Sequence, residues 1–344
     1  MLPLVRSAAL TGYSSVARSF GLEPERLAKE VGLPRLALER PDLRVPVAQV
    51  ANLLELSAST AGIEDFGVRL GETRRISNLG LLGVIATEAP NLREGTQAIA
   101  RYVRLHSEAL SLRLVPLEAS CIISPGIFVP HVDRVRQLTE MVLAVAHRGF
   151  HELFGELWQP ELVCFPHPAP HDLSSQRRIF GVPLQFDAVV TGFVCSRESI
   201  ERRRAVSDSL LVREASARLD ELLARNIPGT TARARQTIAW LLPTGLCSAA
   251  AVAERLGLGE RTLHRHLARE KTSYARLIDE VRQDLARQHL SSGRRPLKEL
   301  AAALGFEASS ALSRWFRSRF GCSATEWNRK AAEGQAHKQI ASEV

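Results

Sequence analysis

Residues 252–267 read VAERLGLGERTLHRHL, and residues 300–316 read LAAALGFEASSALSRWF. The second stretch repeats the first. Val252, Ala253, Leu256 and Gly257 recur 48 positions later as Leu300, Ala301, Leu304 and Gly305. Past the turn the second copy carries one extra residue, so Leu263, Arg265 and Leu267 correspond to Leu312, Arg314 and Phe316. Each copy has an apolar helix, a turn containing glycine, and a second helix whose outward positions are polar or basic. That is the pattern of a helix-turn-helix, with which a protein lays a helix in the major groove of DNA.

On the second helix of the first copy, Leu263 and Leu267 stand one turn apart and point toward a core. Arg261, Thr262, His264, Arg265, His266 and Arg269 are left for the other faces. In the second copy Leu312 and Phe316 point inward, leaving Ser309, Ser310, Ser313, Arg314 and Arg317. An arginine can make two parallel hydrogen bonds to the major-groove edge of guanine, and Ser, Thr or His can reach single acceptors. Arg319 and Lys330 suit phosphate contacts, which fix position without reading sequence. Taken singly, each of these arginines reads equally well as part of a solvated helix face. The charge distribution decides against that. Residues 231–330 hold 18 Lys and Arg against 9 Asp and Glu, whereas the rest of the chain holds 27 against 28. The net charge of +8 therefore resides in the duplicated segment, as a phosphate-facing surface requires.

The stretch between the copies predicts a connecting helix, capped by Ser273 and stopped by Ser291-Ser292-Gly293. The 17 residues from Tyr274 to Leu290 span about 25 Å at about 1.5 Å per residue. With its flanking turns this connector can hold two recognition helices roughly 34 Å apart, one pitch of B-DNA. One chain would then read two successive grooves. A shorter separation would require the DNA to bend.

A chain of 344 residues with 45% hydrophobic and 24% charged residues is long enough for two globular domains. The five cysteines, Cys121, Cys164, Cys195, Cys247 and Cys322, are odd in number and widely spaced, which disfavours a disulfide framework and fits a reducing cytoplasm. Neither a signal-peptide core nor an uninterrupted apolar run of membrane-spanning length is evident, so a cytoplasmic protein is expected.

The first two-thirds reads as an α+β domain. Residues 4–40 read as helical, with a short helix opened by Pro24 and stopped at Gly32. Val47–Ala61 has helical spacing and ends at Gly62. Thr96–Ala109 reads as a helix entered through a turn at Asn91–Gly95. Short β-branched or aromatic segments follow at 110–117, 121–129, 161–166, 182–188 and 189–196, around a long amphipathic helix at 132–155. Helix resumes at Ser207–Ala224. The boundaries expected are a regulatory domain at 1–225, a linker at 226–230, and an all-α DNA-binding domain at 231–332, followed by a polar tail at 333–344. The two helix-turn-helix units occupy 248–270 and 297–320.

The motif residues Ala253, Leu256, Gly257, Arg261, Thr262, Leu263, Arg265, Leu267, Arg282, Ala286, Leu290, Leu300, Ala301, Leu304, Gly305, Phe306, Arg314, Trp315, Phe316, Phe320 and Gly321 together resemble the AraC/XylS family of bacterial transcription regulators. This resemblance implies that Arg261, His264 and Arg265 face bases from the first recognition helix, and Ser309, Ser310, Ser313 and Arg314 from the second. The departures are Gly259 for a Ser helix cap, Leu312 for a Phe, and Ala324 for a Pro. A Gly cap costs only a few tenths of a kcal/mol, and none of the three removes a DNA contact. The stretches GLEPERL, PDLRVPVAQV, DFGVRLGE, LGLLGVI, LVCFPHPAP and FGVPLQFDA, across roughly residues 4–210, resemble the family's arabinose-binding-like regulatory domain rather than its His-lined barrel. The resemblance implies promoter DNA as partner, a small-molecule effector, a homodimer, and RNA polymerase where the protein activates. It implies no cofactor.

Other constellations read as structural. His147 and His151 have a metal-ligand spacing, but the second histidine of an H-E-x-x-H motif is missing. The stretch from Phe165 to His171 reads as a stiff loop, Cys121 and Cys164 as buried strand thiols, and Arg202–Arg204 as a solvated helix face. Two rivals remain: a constitutive regulator whose first domain only oligomerises, and an enzyme fused to a DNA-binding module. The second needs a nucleophile–base pair or metal constellation in 1–225, and no such pattern stands out.

Overall fold

Two units make up the chain in a computed structural model, which describes residues 3–74, 80–204, 210–225, 229–291, 296–327 and 329. Met1–Val129 with Val135–Ile227 form the first, and Pro228–Val344 with the short segment Pro130–Arg134 the second. Of the expected linker, residues 226–228 lie outside the described residues, as do 207–209 at the start of the helix expected at Ser207, residues 292–295 at the stop expected after the connector, and the polar tail.

The first unit runs β1 (Leu4–Arg6), α1 (Tyr13–Ser19), α2 (Pro24–Glu30), α3 (Leu36–Glu39), β2 (Arg44–Pro46), α4 (Val47–Ala61), α5 (Phe66–Glu72), α6 (Leu81–Thr87) and α7 (Leu92–Tyr102). It continues with β3 (Leu110–Pro116), β4 (Ser120–Ile127), α8 (Arg136–Phe154), β5 (Pro160–Cys164), α9 (Ser174–Phe180), β6 (Leu184–Gln185), β7 (Gly192–Ser196), α10 (Arg197–Glu201) and α11 (Leu210–Arg225). β1 and β2 pair antiparallel. The main sheet has the order β3-β4-β7-β5-β6, antiparallel except for the parallel β5–β6 pair. Its core is aromatic: Phe150 stacks on Trp158 at 4.8 Å, and Phe193 meets Trp158 edge-on at 5.0 Å. α5 lies directly on α8, because a Cβ on Gly67 would fall 2.0 Å from the Gln137 carbonyl oxygen.

α4 has the bounds its periodicity predicts and ends on Gly62 in the left-handed region. α2 begins at Pro24 as expected. Three expectations fail. Residues 4–40 are not all helical, since Leu4–Arg6 is a strand held by pairing with Arg44–Pro46. The helix expected at Thr96–Ala109 starts instead at Leu92, where the Asn91 side chain accepts from the Glu94 amide at 2.8 Å. It ends early because Ser107 bridges to Val5. Arg204 is no solvated helix residue: past the end of α10 it donates to the Ala89 carbonyl at 2.9 Å and to those of Leu153 and Thr87.

The second unit contains α12 (Thr230–Leu241), α13 (Ala249–Arg255), α14 (Glu260–Arg269), α15 (Tyr274–Ser291), α16 (Leu297–Ala303) and α17 (Ser309–Phe320). Side chains cap some of its helices: Ser248 accepts from the Ala251 amide at 3.1 Å, Ser273 from the Arg276 amide at 3.2 Å, and Glu270 from the Thr230 and Thr231 amides at 2.9 Å. The duplication is repeated in hydrogen bonds. Gly257 N–H donates to Glu254 and Leu258 N–H to Ala253, at 3.0 and 2.9 Å; Gly305 and Phe306 donate likewise to Ala302 and Ala301, at 3.0 and 2.8 Å. Both glycines stand at positive φ, 68° and 65°, where a helix closes on a left-handed residue.

Their surroundings differ. A Cβ on Gly257 meets nothing within 4 Å, whereas one on Gly305 would come 2.8 Å from the Leu242 carbonyl oxygen. Gly257→Ala should therefore cost only the conformational penalty, about 1–2 kcal/mol. Gly305→Ala should cost clearly more, because backbone must also shift. Urea unfolding of the two variants compares them directly, and equal midpoints would show that the Leu242 contact is immaterial.

Candidate nucleic-acid interface

α14 shows its inner side through Leu263 and Leu267, both fully buried. At about 100° per residue, Arg261, Arg265 and Arg269 fall on the opposite side. These three and His264 are exposed, while Thr262 at the edge is half-buried. His264 Nε2 lies 3.7 Å from Glu260 Oε1, one turn earlier. His266 turns the other way: half-buried, its Nδ1 lies 3.3 Å from Thr230 Oγ1 on α12.

α17 is built alike. Leu312 and Phe316 are fully buried, and Ser310, Ser313, Arg314 and Arg317 are exposed. Ser309, nearer the buried side, is half-buried; its carbonyl accepts from Ser313 Oγ at 2.8 Å. Arg319 falls on the flank toward α15. There its Nε donates to Asp279 Oδ1 at 3.0 Å, and the same oxygen accepts from Trp315 Nε1 at 2.7 Å. Lys330 lies outside the described residues.

The arginines of this unit sort into two groups. Among the described residues, Arg261, Arg265, Arg269, Arg314 and Arg317 have no ion-pair partner. Several others are tied down: Arg235 to Glu280, Arg276 to Glu280 at 2.9 Å, and Arg287 to Asp284 at 3.4 Å, while Arg255 lies 3.8 Å over the Trp240 ring. The outward arginines of α14 and α17 are thus uncompensated, and such cations cost little in water and attract polyanions.

Two more arginines brace the turns that lead into α14 and α17. Arg233 on α12 donates to the Leu256 carbonyl at 3.1 Å, closing the end of α13. Arg282 on α15 donates to the Leu304 and Gly305 carbonyls at 3.0 and 3.2 Å, and lies 4.2 Å over the Phe306 ring. Burial lowers the Arg282 pKa, an effect that desolvation imposes on any cation. Each arginine satisfies carbonyls that a helix leaves unpaired at its C-terminus. The family motif marks Arg282 without saying why; Arg233, 49 positions earlier, is the signal that would have revealed the pair. Behind α17, Phe316 stacks on Phe320 at 4.3 Å and Trp327 meets Phe320 edge-on at 5.0 Å.

Of the spaced histidine pair, His151 is exposed and His147 is half-buried against aromatic rings. His147 lies 3.1 Å from the Trp158 indole N–H, and burial lowers its pKa to about 4. His167 lies beside buried Glu140 at 3.3 Å. Among the described residues no group of three His, Cys, Asp or Glu could hold a metal ion. Cys121 and Cys164 are buried, and burial raises both thiols. No described helix is long and apolar enough to cross a membrane.

Two helix-turn-helix units with outward, unpaired arginines define a DNA-binding transcription regulator. Residues 21–203 match the arabinose-binding domain of AraC transcription regulators, and residues 252–330 a helix-turn-helix domain model. The chain belongs to the AraC family. It is 29% identical over 333 residues to the HTH-type transcriptional regulator VirS of Mycobacterium tuberculosis, covering 94% of this chain and 96% of that one. It is 25% identical over 319 residues to the ornithine utilization regulator of Pseudomonas aeruginosa, covering 92% and 93%. Among solved structures, the transcriptional regulator CdpR of Pseudomonas aeruginosa shares 25% identity over 93% of this chain and 96% of its own, with a TM-score of 0.44. The curated relatives are regulators, not enzymes, and promoter DNA is the partner this family binds.

Proposed function

We propose that the chain regulates transcription in response to a small molecule held by its first unit, and reads two successive major grooves with α14 and α17. Arg261, Thr262, His264, Arg265 and Arg269 serve the first groove; Ser309, Ser310, Ser313, Arg314 and Arg317 serve the second. Arg319, steadied by Asp279, and Lys330 contact phosphates. The observation that carries this reading is the set of five exposed arginines without ion-pair partners on the outward faces of these two helices. α15 supports the spacing: its 18 residues span about 27 Å at about 1.5 Å per residue.

The same proposal has a homodimer assembling through the first unit, acting on the chromosome in the cytoplasm, with RNA polymerase as further partner where the protein activates. The effector shifts an existing equilibrium between DNA-competent and incompetent states. Hydroxyl-radical footprinting of the full chain on a promoter found by genomic binding-site mapping tests the reading. Two protected patches should appear on one side of the duplex, about 10 base pairs apart. A single protected groove would overturn it. The constitutive alternative would be favoured if no metabolite pool moved promoter output.

A further inference from the structure

Within the first unit, α4, α7, α8, β3 and β4 line a cavity of about 140 Å³. Val5, Val50, Ile99, Leu138, Met141 and Phe150 give the character of its wall. Among the described residues four lining side chains are polar: Arg74, His106, Ser107 and Ser111. No carboxylate among the described residues lines it.

Arg74 is the anomaly. Its residue is only 5% exposed, yet no ion pair holds it among the described residues. One Nη donates to the Ala8 carbonyl, while Nε is buried without any hydrogen-bond partner. Burial lowers its pKa to about 10, which leaves it charged at neutral pH. His106 does not share that charge: burial, and then Arg74, Arg6 and Arg44, lower its pKa to about 4, so it is neutral. A buried cation facing an apolar cavity with no counter-charge is costly alone, and a bound anion relieves that cost.

We propose that this cavity takes a small monocarboxylate with an apolar body, its carboxylate on Arg74 and its body against α8 and β3. As an effector site, the inference rests on the function proposed above; as a binding site it stands alone. The volume sets the size of the body. An engineered cavity of about 150 Å³ admits benzene, so this one suits roughly six to eight heavy atoms. A pentose suits it badly, although the matching family model is described as arabinose-binding. Each buried sugar hydroxyl needs a hydrogen-bond partner, and this wall is mostly hydrocarbon.

Calorimetric titration of the full chain with hexanoate, benzoate, hexanamide, benzamide and L-arabinose tests the proposal. Each acid should bind at least about tenfold tighter than its neutral amide, since a charge-assisted bond to Arg74 is lost in the amide. Comparing the two acids shows whether an aliphatic or an aromatic body fits better. Arg74→Gln should erase the preference for acid while leaving amide affinity within about threefold. Equal affinity for acid and amide, tightest binding of arabinose, or binding of none of the five would overturn the proposal, and none of these outcomes depends on the variant folding. Operator affinity measured in parallel separates the two claims. Arg74-dependent acid binding that leaves operator affinity unmoved removes the effector role and keeps the site. Operator affinity that responds to a metabolite while no probe binds removes the site and keeps the regulator responsive.

Discussion

The double variant Arg265→Ala, Arg314→Ala should bind its operator several hundred-fold more weakly than the parent while remaining folded. Each arginine, paired with a guanine edge, contributes about 1–3 kcal/mol of discrimination. The two lie on different helices, and distant sites add within about 0.5 kcal/mol, so the pair should cost about 2–6 kcal/mol at a specific site. Binding to unrelated DNA should fall far less, because phosphate contacts carry it. Both side chains are exposed and unpaired, so thermal stability should stay within about 0.5 kcal/mol of the parent. Fluorescence anisotropy at fixed salt, with operator and scrambled duplexes, reads both quantities. Retained specificity in both single variants would refute the assignment of these residues as readers.

Phe316→Ala should do the opposite: unfold the second unit locally without touching any DNA-facing atom. Phe316 is fully buried and packs against Phe320, Trp315 and Trp327. Truncating a buried phenylalanine costs about 3–5 kcal/mol, as transfer energy and residual cavity add. That is a large fraction of a domain's total stability of about 5–15 kcal/mol. Hydrogen exchange should therefore show protection lost across α16 and α17, with α13 and α14 nearly unchanged. The operator footprint should shrink to its first patch. Undiminished protection of α17 would mean that the aromatic cluster does not hold this helix.

What could be read from the sequence divides by how far apart the determinants lie along the chain. α14 and α17 were legible because Leu263 with Leu267, and Leu312 with Phe316, state their inner sides within one turn. α4 was legible because Gly62 closes it locally. β1 was not, since three residues become a strand only through Arg44–Pro46 forty positions on. α5, α6 and α9, seven residues each and without a side-chain cap, have neither the opening proline of α2, the serine cap of α13 nor the repeat that marks α16. The same division governs the candidate sites. The outward positions of α14 and α17 follow from helix periodicity, whereas the tie between Arg319 and Asp279 joins helices 40 positions apart. The cavity draws on α4, α7, α8 and two strands, so neither Arg74 nor His106 carried any local mark of it.

The carbonyl clamps at Arg233 and Arg282 separate orientation from vocabulary. The turns before α14 and α17 are held by arginines bonded to backbone carbonyls, and the outward positions proposed to read bases belong to no core. A lineage can therefore exchange the residues at 261, 265, 310 or 314 and acquire a new target sequence without renegotiating its fold. Drift at 233 or 282, by contrast, would tilt a whole helix and blur every letter it reads at once.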